Sequence, residues 1–197
     1  MNGNMVKYFH HSIQGELRMA IEVTKVYKEH FPVLRLIGKC YTNDDRSEDG
    51  FGKQWDEWMG GDKFNVMKQA VGVSPFDEST LGLMTMRGNM TGFTYWIGLL
   101  FPAGTKVPDG YDYLDLPESN IGVGWVCGKL ENGEIFGGPP HEAVCKKLAE
   151  AGIGEFRNDI AGQGSDTYCF FERYNYPRFT EKDVNGNVTL DYGNYVI

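Results

Sequence analysis

The chain has 197 residues and a formal net charge of −8, from 27 acidic and 19 basic residues. That length suits one domain, or one domain built from two halves, and an acidic chain without a basic stripe argues against direct binding to DNA or RNA. With 26 glycines, 8 prolines and 14% aromatic residues, the composition points to a turn-rich, sheet-dominated globular protein rather than a disordered chain.

Residues 1–20 read as an N-terminal arm, too short for a helix-turn-helix domain, with a weak helical tendency at Ser12–Ala20. From Ile21 the pattern firms up, with Val23, Val26 and Tyr27 β-prone, and Val33–Tyr41 reads as a strand after Phe31-Pro32. Thr42–Gly50 is a polar loop. Phe51, Trp55 and Trp58 or Met59 recur at helical spacing. Gly60-Gly61 interrupts that helix, and Asp62 is positioned to cap a continuation through Val71. Thr80–Arg87 and Phe93–Phe101 are strands about a Gly88-Asn89 turn. The second half repeats the order: Tyr111–Leu116 and Gly122–Cys127 are strand-like around a Pro117–Asn120 break. His141–Ala151 is a helix entered by Pro139-Pro140 and closed by Gly152. Tyr168–Tyr174 is a strand, and Asn185-Gly186 reads as the hairpin turn before the last strand, Val188–Val196. The expected fold is α+β. Two strand-helix-strand-strand units, about 21–104 and 105–197, form an antiparallel sheet with helices on one face and a central cleft between them.

The common catalytic signatures are missing. The histidines, His10, His11, His30 and His141, form no HExxH or Cys/His cluster, so neither a metal nor another cofactor is expected. The run from Gly122 to Lys129 resembles a phosphate loop but has Val123 and Leu130 where Gly and Ser or Thr are required. Its glycines fit a strand that passes close to another backbone. There is no GxSxG elbow. Cys40, Cys127, Cys145 and Cys169 form no CxxC pair, and no apolar leader precedes a small-residue cleavage site. The longest apolar run, Tyr95–Phe101, falls short of the roughly 20 residues that span a bilayer. A cytoplasmic protein with free thiols and no membrane partner is the expectation.

The sharpest local signal is Tyr168–Tyr174, YCFFERY. Strand alternation puts Phe170, Glu172 and Tyr174 on one face and Cys169, Phe171 and Arg173 on the other. Either Glu172 lies at an edge and pairs with Arg173 or a lysine, or it sits in an aromatic cavity. In a cavity its desolvation calls for a cation, and aromatic faces add cation–π attraction for a cationic ligand. Trp55 and Trp58 pack their helix on the sheet. Tyr95, Trp96 and Trp125 lie on strands, where alternation divides them between core and cleft.

In order and spacing, residues 21–197 resemble the GyrI-like effector-binding domain, the ligand-sensing part of AraC-type and MerR-type multidrug regulators, which also occurs as stand-alone proteins. The resemblance rests on Leu36-Ile37-Gly38 and the helix with Trp55 and Trp58, then Tyr95-Trp96-Ile97-Gly98 and Pro108-Asp109-Gly110-Tyr111. Leu116-Pro117 before a glycine-bearing strand and Phe171-Glu172-Arg173-Tyr174 complete it. It implies two pseudo-symmetric units with a ligand cleft between them, and Glu172 as the acidic residue of an aromatic pocket. The last strand lacks the aromatic-proline ending of many members.

The expected function is binding of a hydrophobic, aromatic small molecule, cationic or neutral, by a stand-alone sensor or sequestering protein that reports to a separate regulatory protein. Glu172 supplies the charge, and Tyr174, Phe170, Tyr95, Trp96, Trp125, Trp55 and Trp58 are candidate walls. A second reading is a hydrolase that opens strained cyclopropane rings of DNA-alkylating compounds, with Glu172 as general acid/base aided by Tyr174. A third is a protein-interaction module resembling inhibitors of DNA gyrase, whose acidity mimics DNA.

Overall fold

The computed structural model describes residues 21–48, 50–89, 91–131, 133–160 and 166–197, so the expected arm with His10 and His11 lies outside the described residues. Within them the chain forms β1 (Glu22–Phe31), β2 (Leu34–Tyr41), α1 (Gly52–Gly60), α2 (Lys63–Val71), β3 (Thr80–Arg87), β4 (Thr94–Pro102), β5 (Asp112–Leu116), β6 (Ser119–Gly128), α3 (Gly138–Glu150), β7 (Thr167–Tyr174) and β8 (Val188–Val196). The strands make one sheet in the order β1-β6-β8-β7-β3-β4-β2-β5, with every neighbouring pair antiparallel. The fold is α+β, as the sequence implies.

The order resolves into two four-stranded blocks, β5-β2-β4-β3 and β1-β6-β8-β7, which meet where β3 pairs with β7. Each block holds the strand-helix-strand-strand unit read from the sequence. Each also takes its outer strand from the other half: β1 pairs with β6, and β5 pairs with β2. This exchange sets the shape. Phe31 ends β1 and Leu34 begins β2, and three residues reach at most about 11 Å. In a flat sheet those strands, six places apart, lie roughly 29 Å apart. The sheet therefore curls until its ends meet, and Leu116 and Ser119 make the same crossing between β5 and β6. Phe31 of β1 consequently stacks on Phe171 of β7, 5.9 Å between ring centres.

The curl encloses the helix-free face. Phe31, Leu36, Leu83, Leu100, Leu116, Val123, Phe171 and Tyr195 fill it with side chains from all eight strands. The helices lie on the other face. Apolar residues at helical spacing, Trp58 on α1 and Met67 on α2, press onto β2 and β4 through Ile37, Ile97 and Phe101. Val144 and Leu148 of α3 pack with Val126 of β6 and Leu190 of β8.

Three local expectations need correction. Asp62 sits at the N-cap of α2 in a left-handed conformation, φ 54°, and its side chain caps nothing. Its carboxylate instead accepts from the Asn65 amide at 2.6 Å. Asn185-Gly186 is a turn, with Gly186 N–H donating to Asp183 O at 2.9 Å, but residues 175–187 separate the strands it was expected to join. The close neighbours of the β6 glycines are side chains, not backbone: a Cβ at Gly124 would meet Val144, and one at Gly122 would meet Leu148, Ile153 and Val196.

Candidate functional site

With α1 and α2 packed over one block and α3 over the other, the strip of sheet between them is β7. Its helix-side residues are Phe170, Glu172 and Tyr174, on the face that alternation predicts. Phe170 and Tyr174 are half-buried, while Glu172 is only 6% exposed. Residues from four other elements converge here. Tyr192 of β8 and Gly82 of β3 stand opposite Glu172 across the sheet. Tyr95 of β4 and Trp55 of α1 extend over Gly82, where a Cβ would collide with the Tyr95 hydroxyl and press on the Trp55 ring. Glycine is therefore the residue that leaves room for both.

The Glu172 carboxylate is held by phenols and not by a cation. Tyr174 Oη donates to Oε2 at 2.8 Å, and Tyr95 Oη makes a longer contact to the same oxygen at 3.4 Å. Tyr192 Oη lies 3.1 Å from Oε1 and 2.8 Å from the Ile135 carbonyl oxygen. The backbone of Gly137, the residue before α3, also favours the ionised carboxyl. Gly137 takes φ 86°, a conformation open to glycine at no steric cost. Burial raises the Glu172 carboxyl above its ordinary range, with the surrounding donors opposing that rise. Burial and the Glu172 charge push the Tyr95, Tyr174 and Tyr192 hydroxyls well above theirs, so the phenols stay protonated donors.

An aromatic side chain stands over each end of the strip. Trp55 packs on Tyr174 with ring centres 4.5 Å apart and donates its indole N–H to Tyr95 Oη at 2.9 Å. Phe179 closes the same end, edge-on to Tyr174 at 4.8 Å. At the other end His141 of α3 stacks on Phe170, 4.4 Å between centres and 16° from parallel. Burial lowers the His141 pKa, favouring the neutral ring, and its Nε2 lies 2.7 Å from Asn194 Oδ1. The Asn194 amide nitrogen is buried without a partner among the described residues. Cys145 Sγ is 3.6 Å from the same His141 nitrogen, but burial pushes its thiol up to about 12, far from the thiolate a nucleophile needs.

The expected site residues thus divide. Glu172, Tyr174, Phe170, Tyr95 and Trp55 come together. Trp58 does not: it is buried under α1, donating to Tyr41 Oη at 3.0 Å. Trp96 and Trp125 point to the helix-free face, because alternation turns Trp96 away from Tyr95 and register places Trp125 opposite Asp191 and not Tyr192. There the Arg178 guanidinium lies 4.3 Å and Lys25 Nζ 4.6 Å from the Trp125 ring centre. The alternative pairing of Glu172 with Arg173 does not occur either, since Arg173 faces the other way and binds Asp191. Tyr192, His141, Asn194 and the Ile135–Gly137 backbone were not anticipated. Alternation around Asp191 in the last strand is the one sequence signal that could have marked Tyr192.

An open groove elsewhere, lined by His30, Glu118, Asn120, Arg157 and Ile197, carries no comparable chemistry. Its arginine is engaged by both oxygens of Asp159. No helix among the described residues is long and apolar enough to cross a membrane.

No family model and no curated protein matches the chain. Solved structures do. A transcription regulation protein from Staphylococcus aureus MU50 is similar over 87% of this chain and 97% of its own, at 15% identity and a TM-score of 0.57. SAV2435 bound to tetraphenylphosphonium is similar over 88% of this chain and 94% of its own, at 14% identity and the same TM-score, 0.57. At these identities the likeness is one of fold.

Proposed function

We propose that the strip over β7 is a cleft for an apolar, aromatic, cationic small molecule, and that the chain acts as a ligand-sensing or sequestering domain of the GyrI-like class. The observation that carries this is Glu172: a buried carboxylate bounded by aromatic rings, with no ion-pair partner among the described residues. Burying an acid without a counter-charge costs stability, and a ligand cation offsets that cost. Tyr174, Tyr95, Trp55 and Phe170 offer π faces to the cation, while the phenols disperse the carboxylate charge. The shared fold with SAV2435, a protein bound to tetraphenylphosphonium, supports the reading.

Tryptophan-fluorescence titration with tetraphenylphosphonium and with neutral triphenylphosphine oxide tests it. Saturable quenching that favours the cation, and that Glu172→Gln weakens by about 30-fold or more, is the expected result. Equal affinity of the wild type and the variant for the cation would refute the role of Glu172.

A second reading, ring-opening hydrolysis of strained electrophiles, is favoured by the 2.8 Å contact between Tyr174 and Glu172 and by the raised carboxyl, which suits a general acid. Product formation from a cyclopropane-bearing substrate, lost in Glu172→Gln, distinguishes turnover from binding.

A further inference from the structure

The hydrogen atoms around Glu172 can be counted. Tyr174 and Tyr95 each have one hydroxyl proton, and each points it at Oε2. Tyr192 also has one proton but two neighbours that need it, the Ile135 carbonyl at 2.8 Å and Glu172 Oε1 at 3.1 Å. The Ile135 carbonyl only accepts, and it is the nearer. Given to Ile135, the Tyr192 proton leaves the contact between Tyr192 Oη and Glu172 Oε1 without a hydrogen unless the carboxyl carries one. A proton on Oε1 completes the chain, Glu172 donating to Tyr192 and Tyr192 to Ile135, with no polar group left over. Two oxygens facing each other with no hydrogen between them, in a buried site, are costly.

The surrounding charges agree. β7 contributes Tyr174, and its Arg173 faces away. β8 contributes Tyr192 and Asn194, and its Asp191 faces away. β4 contributes Tyr95, β3 only Gly82, and α1 Trp55. α3 and the turn before it contribute neutral His141, the Gly137 backbone and the Ile135 carbonyl. Among these the Gly137 backbone and the N-terminal end of α3 favour the anion, and none carries a full positive charge.

We propose that the empty cleft stores one proton on Glu172, and that an apolar cation binds by displacing that proton to solvent. This rests on the cleft being the ligand site. The exchange keeps the net charge of the closed cleft constant: one proton leaves Oε1 as one monocation enters. Tyr192 keeps its bond to Ile135 and Tyr174 keeps donating to Oε2, while the charge of the entering cation offsets the contact that Oε1 and Tyr192 are left to make without a hydrogen. The same stored proton sets ligand choice. Protonated Glu172 is an O–H donor that receives neutral hydrogen-bond acceptors, whereas ionised Glu172 receives cations, so acid favours the first class and alkali the second.

Two measurements on the full chain test this. In the free protein, isotope-edited infrared spectroscopy is expected to show a protonated glutamate carbonyl band in mildly acidic buffer that persists above the ordinary carboxylate range and is absent from Glu172→Gln. Its absence from the wild type overturns the stored proton whether or not any ligand binds. Calorimetric titration with tetraphenylphosphonium, in two buffers of different ionisation enthalpy, counts protons. Close to one proton released per cation is expected on the acid side. There affinity climbs about tenfold per pH unit, levels off once the free carboxyl ionises, and stays flat in Glu172→Gln. Saturable binding with no proton released overturns the exchange and leaves the cation-binding reading standing. No saturable binding overturns both.

Discussion

Two carboxylates lie on neighbouring rungs of the same two-stranded ladder and differ in almost everything else. Glu172 on β7 stands opposite Tyr192, and Asp191 on β8 stands opposite Arg173. Alternation sends them to opposite faces. Asp191 is fully buried and bound by two arginines, Arg173 at 3.0 Å and Arg178 at 2.8 Å. Arg173 in turn reaches Glu29 at 2.9 Å and Tyr27 at 3.2 Å. Glu172 is nearly as buried and has phenols in place of cations. The first arrangement is charge-complete and holds β1, β7 and β8 together within the curl. The second has no charge partner of its own among the described residues, so a proton or a ligand cation has to balance it.

The contrast breaks most visibly at Asp191. Asp191→Asn leaves the buried arginines without their shared anion and should lower the unfolding free energy by about 3 kcal/mol or more in urea titrations. Gly82→Ala pushes a methyl into the Tyr95 hydroxyl and the Trp55 ring. It should cost about 1–3 kcal/mol by the same titration and weaken tetraphenylphosphonium binding alongside. Glu172→Gln should fold as well as the wild type. Because the folded carboxyl is raised, the folded state holds its proton more tightly than the unfolded one. That contribution to stability is full below the ordinary carboxylate range and is lost as pH rises through the raised value. Thermal melts of the two proteins should therefore agree in acid, and the glutamine variant should become the more stable as pH rises. The smallest effect separates the faces optically. Trp125→Phe should leave ligand quenching unchanged and Trp55→Phe should remove most of it; the opposite pattern would place the ligand on the helix-free face.

Much of this was legible along the chain. The 51–55–58 spacing, the paired prolines before α3 and the alternation in YCFFERY are local signals, and local signals decide helices, strands and which residues share a strand face. Alternation alone set Glu172 beside Tyr174 and Phe170. It does not say which face of one strand continues onto another. Adjacent Tyr95 and Trp96 had to part, yet only register assigned Tyr95 to the Glu172 side. Tyr192 and Gly137 reach the carboxylate from distant sequence, one across a ladder and the other from a loop end, so no spacing rule announced them. His141 has no neighbour in the sequence at metal-ligand spacing to mark it, and its place in the site depends on a cross-element stack with Phe170. The swapped outer strands were likewise out of reach, because β-propensity carries no information about partners.

That exchange of outer strands interlocks the halves. Pro32-Val33 and Pro117-Glu118 tie the two rims of the sheet together, so the blocks cannot swing apart about the β3–β7 seam as two lobes on a hinge do. Room for a guest has to come from above the strands, from the Trp55 and His141 side chains and the helices that carry them. Guests of different size would then meet the same rigid floor, with the spacing of Glu172, Tyr174 and Tyr192 fixed by their ladder, while only the roof adjusts.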